Sequence, residues 1–272
     1  MTHSHSGGRN EQPHPAALPP LRTLLDRTDW ASLATACGTG EALPAALARL
    51  TDPDPVVRES ALHDALEPVT HQNSIYEATA PVALYVAAIL GHPSFTSAPD
   101  DPAADAETRI ASTLVRLLAW LGDTAYDADD ECVASGEPFF DGGFLDEYEE
   151  MRAFRDARPA IFTAVHPLLA HADADVRHTA LVAAIPLIEH PLLARHQADL
   201  ADHARRLLAT STDRQHRDRV LDALKAWGHD TGGLENASDV AAHEHYARLR
   251  AARASWDGDW AGGGCYSDDP PF

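Results

Sequence analysis

The chain has 272 residues, of which 44% are hydrophobic and 7% aromatic, enough apolar material to bury a continuous core. Its 42 Asp and Glu stand against 21 Lys and Arg, and the net charge of −21 opposes any polyanion, so no nucleic-acid partner is expected. Cys37, Cys132 and Cys265 lie far apart without disulfide or metal spacing, the first twenty residues hold no apolar leader, and no apolar run reaches the roughly 20 residues that span a bilayer, which predicts a soluble cytoplasmic protein without membrane contact.

Residues 1–19 place His3, His5 and His14 among prolines and read as a disordered arm. The patterns LRTLLDRT and WASLATA follow as short helices that would cap an array, and strand signals are scarce. Helices are then expected in pairs, 41–50 with 55–68, 77–91 with 105–121, 158–171 with 173–189, and 195–209 with 213–227. A helix at 238–254, starting at Ser238 or Asp239 and rich in Arg in its later turns, closes the ordered region at residues 20–254. Residues 255–272 read as a flexible acidic tail with Trp256, Trp260, Tyr266 and Phe272. Two readings stay open for it: it covers the array's own groove, or it is a linear motif for a partner.

The strongest internal signal is an Asp followed four residues later by an Arg: Asp54 with Arg58, Asp105 with Arg109, Asp173 with Arg177, and Asp213 with Arg217. Three copies continue with an apolar pair, Ala61-Leu62, Ala180-Leu181 and Val220-Leu221, and the last two copies lie 40 residues apart. The unit is therefore about 40 residues long, with insertions of roughly 11 and 28 between the earlier copies. Asp54, Asp173 and Asp213 stand where a helix N-cap belongs. Pro55 follows the first at a position where a missing N–H is harmless.

Asp-x-x-x-Arg-x-x-Ala-Leu opening the second helix of a 40-residue pair resembles the HEAT repeats of the armadillo-like class. The resemblance covers about residues 41–228 and is best at 54–69, 173–189 and 213–227. At 105–121 it departs, with Ser112 and Thr113 where the apolar pair belongs. It implies an all-α fold, a right-handed α-solenoid of about four to five helical pairs whose Asp and Arg ladder along the inner layer. The run HQNSIYEATAPVALYVAAIL at 71–90 also resembles a segment of bacterial HEAT-like proteins, a kinship that carries no chemistry with it. High Arg and Ala usage with a single lysine, Lys225, fits a GC-rich bacterial source.

Two insertions interrupt the repeat. Residues 91–105 are rich in Pro, Ser and Asp and read as a surface loop. Residues 123–150 hold no basic residue and interleave Asp127, Asp129, Asp130 and Glu131 with Tyr126, Phe139, Phe140, Phe144 and Tyr148. Charge for steering and rings for desolvated anchoring are what a basic, partly apolar partner requires. The same rings could instead fold back and pin the insertion. The acidic run lacks EF-hand spacing, since Cys132 occupies the position of the turn glycine, and no metal site is predicted.

Between repeats, His71, Gln72, Asn73, Ser74, Tyr76, Glu77 and Thr79 crowd polar groups ahead of an apolar helix. Ser74 and Glu77 have capping-box spacing, and Thr79 with Pro81 offers a second helix start. A functional alternative makes His71, Tyr76 and Glu77 a binding surface, or His71 and Glu77 a proton-transfer pair. His243-Glu244-His245 lacks the spacing of a zinc-peptidase helix, and no nucleophile elbow, phosphate loop or dinucleotide fingerprint occurs. No catalytic residue, metal or cofactor is therefore assigned. The sequence points to a non-enzymatic protein-binding module whose partner is basic, held by the solenoid groove or the acidic insertion. The alternatives are an antidote-like inhibitor of a basic toxin such as a nuclease, and an enzyme using residues 71–81.

Overall fold

Residues 18–95 and 112–260 are described by a computed structural model, with side chains given to residue 251. Asp105 and Arg109, which form the second copy of the repeated motif, lie outside the described residues, as do the arm up to residue 17, most of the 91–105 loop, Tyr266 and Phe272. The structure is helical almost throughout. It divides into two compact units, Met1–His203 and Ala204–Phe272, and the division falls inside a helix.

In the first unit the order is α1 (Leu21–Arg27), a hairpin of β1 (Ala34–Thr35) and β2 (Gly38–Thr39), then α2 (Leu43–Arg49), α3 (Pro55–Leu66), α4 (Thr79–Ile89) and α5 (Thr113–Tyr126). There follow α6 (Asp130–Gly136), α7 (Phe144–Glu147), α8 (Glu149–Val165), α9 (Ala174–Leu187) and α10 (Gln197–Thr210), which crosses the division. Helix α2 packs on α3, α4 on α8, and α8 on α9, while α5 lies against both α3 and α9. Leu114, Leu117, Leu118, Leu121 and Ala125 line the buried face of α5 at helical spacing. Each leucine so buried contributes about 1.5–3 kcal/mol of transfer free energy. The α5 and α9 backbones approach closely because Gly122 faces Ala183: a Cβ at Gly122 would lie 3.1 Å from the Ala183 Cα.

The repeated Asp and Arg have separate duties. Asp54 accepts from the Val56 N–H at 2.9 Å, Asp173 from the Asp175 and Val176 N–H groups at 2.7 and 3.2 Å, and Asp213 from the His216 N–H at 2.8 Å. All three cap a helix whose first N–H groups have no intrahelical partner. The Arg one turn later reaches back past its own N-terminus. Arg58 donates to the carbonyls of Asp52 and Pro53, and Arg177 to those of His171 and Ala172, at 2.7–2.9 Å. Arg217 does the same to Ser211 and Leu208. In each described copy the motif thus closes its own inter-helix turn, with the Asp holding donors and the Arg holding acceptors.

Four local expectations are corrected. WASLATA is a 3-10 turn at Trp30–Ser32 followed by the hairpin, in register Ala34↔Thr39 and Thr35↔Gly38. Gly38 takes φ +122° there, and the Ala36 N–H donates to the Pro68 carbonyl at 2.8 Å. Distant backbone partners override the local helical pattern. Helix α4 starts at Thr79 and not at Glu77, because the Thr79 hydroxyl accepts from the Tyr76 N–H (2.8 Å) and donates to the Val69 carbonyl (2.6 Å). Helix α5 is capped by Ser112, whose hydroxyl accepts from the Val115 N–H at 3.3 Å. The residue that starts this helix is therefore Ser112 and not Asp105. Helix α8 begins nine residues before the expected 158, inside the apparent insertion.

The second unit holds the end of α10, α11 (Arg214–Ala226) and α12 (Ala237–Trp260). Gly228, at φ +82°, ends α11: the His229 N–H returns to the Leu224 carbonyl and the Gly228 N–H to Lys225. Helix α12 is capped by Asn236, not by Ser238 or Asp239. The Asn236 Oδ1 accepts from the Ser238 and Asp239 N–H groups, and the Asp239 carboxylate accepts from the Asn236 N–H. Its helical span includes residues 255–260, which the sequence reading assigns to the tail.

Candidate protein-binding surface

The acidic insertion is a folded element whose carboxylates divide into anchoring and free groups. Asp129 accepts from the Cys132 N–H at 2.8 Å and starts α6, while Asp130 and Glu131 occupy its first turn, where the helix dipole favours negative charge. Asp130 pairs with Arg155 of α8. Its N–H donates to Glu189, just past α9, at 2.9 Å. Asp127 forms the C-cap of α5. The Ala128 carbonyl accepts from both Arg155 and Arg158, and Arg158, wholly buried, also donates to Glu189 at 3.2 Å.

This anchor concentrates charge in a low-dielectric setting. Burial pushes the Glu189 carboxyl up to about 7, against the attraction of Arg158, and burial pulls the Arg158 guanidinium down to about 10. The Arg158 Nε is buried without a partner. Burial, reinforced by Arg158, also lowers His190. The neighbouring Asp129, Asp127 and Glu131 raise the Cys132 thiol, although burial is the larger cause. Cys132 is therefore a poor nucleophile near neutral pH.

The aromatic residues separate in the same way. Phe140, Phe144 and Tyr148 form one cluster, with ring centroids 4.7–5.4 Å apart, and Phe144 is buried. Gly136 lets that cluster close over α6, since a Cβ there would meet the Phe144 ring at 2.6 Å. Phe139 stands apart, 82% exposed. Glu131, Asp141 and Glu147 are exposed in the same insertion, as is Asp146, which accepts from Arg152 of α8 at 3.1 Å. The arrangement offers one ring, Phe139, that stands free of the aromatic cluster among carboxylates, on a base that the α8 arginines hold in place; Tyr148 is partly exposed but packed in the cluster. Among the described residues, no group of three or more His, Cys, Asp or Glu side chains is disposed to hold a metal ion.

At residues 71–79, the Glu77 carboxylate accepts from the Ala34 N–H at 2.8 Å, and the Ala78 N–H donates to the Ala34 carbonyl. Glu77 thus fastens the hairpin. The Tyr76 hydroxyl reaches the His71 carbonyl at 3.5 Å, and the His71 side chain is exposed. Gln72 and Asn73 take φ of 52° and 59°, a left-handed bend that turns the chain between α3 and α4. The geometry brings Glu77 to the hairpin and leaves His71 in solvent.

Sequence reasoning passed over Arg155, Arg158 and Glu189. The available signal was Arg158 in ARPAIF, a charge at a helical position whose neighbours are apolar. No protein-family model, curated protein or solved structure matches the chain. No helix among the described residues is long and apolar enough to cross a membrane.

Proposed function

We propose that this protein is a non-enzymatic binding module that takes a basic protein partner on the acidic insertion. The carrying observation is Phe139, 82% exposed on an insertion with no basic residue of its own. An exposed ring supplies a desolvated anchor, and the carboxylates around it steer a cationic surface into contact. The engagement of Glu77 by the hairpin supports this reading over an enzyme built on residues 71–81. The side-by-side packing of α3, α5 and α9, with α4 on α8, supports a HEAT-like solenoid as the scaffold.

The anchoring roles of Asp129 and Asp130 dictate the test, because changing them would loosen the insertion itself. A variant carrying Glu131→Gln, Asp141→Asn, Glu147→Gln and Phe139→Ser alters only exposed groups. Full-length protein and this variant are immobilised and used to capture partners from native lysate at low and high salt. A basic protein held stoichiometrically by the parent, and lost with salt and with the variant, is the expected result. Equal capture by both would exclude the insertion as the interface. A single tight partner with toxic nuclease activity would favour the antidote-like alternative.

A further inference from the structure

The second unit carries a different surface. Helices α11 and α12 bound an open groove of about 490 Å³, floored by Leu221, Ala242, Tyr246 and Leu249. Tyr246 and Leu249 are about half exposed although they sit on an ordered helix. Ala242, Tyr246 and Leu249 follow the alternating four-and-three spacing of a helix–helix seam, and the sequence continues that spacing at Arg253, Trp256 and Trp260. At 24 residues α12 is about 36 Å long, against about 20 Å for α11.

The charges of the groove identify what covers it. Residues 204–272 carry nine Lys and Arg against eleven Asp and Glu, whereas residues 1–203 carry twelve against thirty-one. The acidity that would repel a second copy is therefore concentrated in the other unit, and a basic partner gains little steering here. Both walls carry mixed charge, and they include one opposite pair, Asp222 on α11 and Arg250 on α12, beside Asp218, which is already paired with Arg214 at 3.6 Å. Asp222 and Arg250 have no hydrogen-bond or ion-pair partner among the described residues, while Lys225 is paired with Glu235 at 2.8 Å.

The contacts within the unit fix the register. Arg217 meets Asp239, Lys225 meets Glu235, and Arg214 lies over the Tyr246 ring at 5.5 Å, so α11 and α12 run antiparallel. If a second α12 lies antiparallel in the groove with Tyr246 at the two-fold axis, its Arg250 falls opposite Ala242, beside Asp218 and Asp222. The same contact repeats on the other side of the axis, as an isologous interface requires. We propose that the α11–α12 groove is a homodimer interface, occupied by α12 of a second copy of this chain.

Sedimentation equilibrium on the full-length protein, from about 1 to about 100 µM, should show the mass rising from 29.3 kDa towards twice that value. Leu249→Asp should weaken the dimer by at least about tenfold. Asp222→Arg and Arg250→Asp should each weaken it, and the two combined in one chain should restore it. That rescue holds the test together if Leu249→Asp perturbs folding, which circular dichroism reports. A monomer throughout the range overturns the proposal, as does a dimer insensitive to all three substitutions. A monomer that dimerises only after deletion of residues 261–272 also overturns it, by assigning the groove to the chain's own C-terminal segment.

Discussion

Arg177 and Arg217 hold the same position in the repeated motif, yet their removal should have unequal consequences. Arg177 is half-buried and donates to two turn carbonyls that water can reach, so Arg177→Ala should cost about 1 kcal/mol. Arg217 is 3% exposed and bonded to the equally buried Asp239 and to the Leu208 and Leu234 carbonyls; Arg217→Ala should cost about 3–5 kcal/mol by stranding a buried carboxylate. Urea unfolding of the two variants decides, and equal losses would refute the distinction. Glu189 gives a prediction of opposite character. Its carboxyl is raised by burial from 4.5 to about 7, so between those values the folded state binds more protons than the unfolded one. Stability attributable to this group therefore falls as pH rises through that window. Comparing the unfolding free energy of parent and Glu189→Gln from pH 4.5 to 7.5 should show the difference between them changing in that direction; a pH-independent difference would rule this out. Asp239, held below the usual carboxylate range chiefly by its hydrogen bond from Arg217, acts in reverse: its contribution is present above pH 3.8 and is lost as pH falls through its lowered folded value.

At the scale of elements, the insertion depends on one close approach. Gly136→Ala would drive a Cβ into the Phe144 ring, and repacking that cluster should cost about 1–3 kcal/mol, confined to α6 and α7. Hydrogen exchange should rise at 130–148 and stay unchanged in α5 and α9; a global rise would mean that the insertion supports the whole unit. The helix starts at Asp54, Asp173 and Asp213 were legible in the sequence because a cap acts within three residues of itself. The start of α5 was misplaced by the same rule, since Asp105 and Ser112 are both competent caps and only the structure chooses Ser112. The hairpin was not legible at all. Ala34 and Ala36 find partners at Glu77, Ala78 and Pro68, some thirty to forty positions away, and no local pattern encodes that choice. The division of the insertion's rings was likewise hidden: spacing shows that Phe139, Phe140, Phe144 and Tyr148 are near one another, but only packing shows that three cluster and one does not.

For the whole molecule, the net charge of −21 is one number spread over two unlike units, acidic at 1–203 and nearly balanced at 204–272. The partner proposed for the insertion and the second copy proposed for α12 therefore should respond differently to salt. Raising ionic strength from about 50 to about 500 mM shortens the Debye length from about 14 to about 4 Å and should weaken the first contact far more than the second. Loss of both in parallel would show that α12 pairs mainly through charge. What the sequence by itself determined is what local chemistry determines: the all-α class, the capped starts of three repeated helices and the acidic character of the insertion, each set by residues within a turn or two of one another. What only the tertiary structure decided is where long side chains end. Arg158, Glu189 and Glu77 could each have pointed to solvent. Arg158 is buried with its donors on Ala128 and Glu189, whereas Glu189 and Glu77 stay partly exposed and accept from the Asp130 and Ala34 N–H groups. All of these pairings follow from segments brought together over thirty to sixty residues, and for Arg158 an unpaired buried charge would cost more than the ordering needed to pair it.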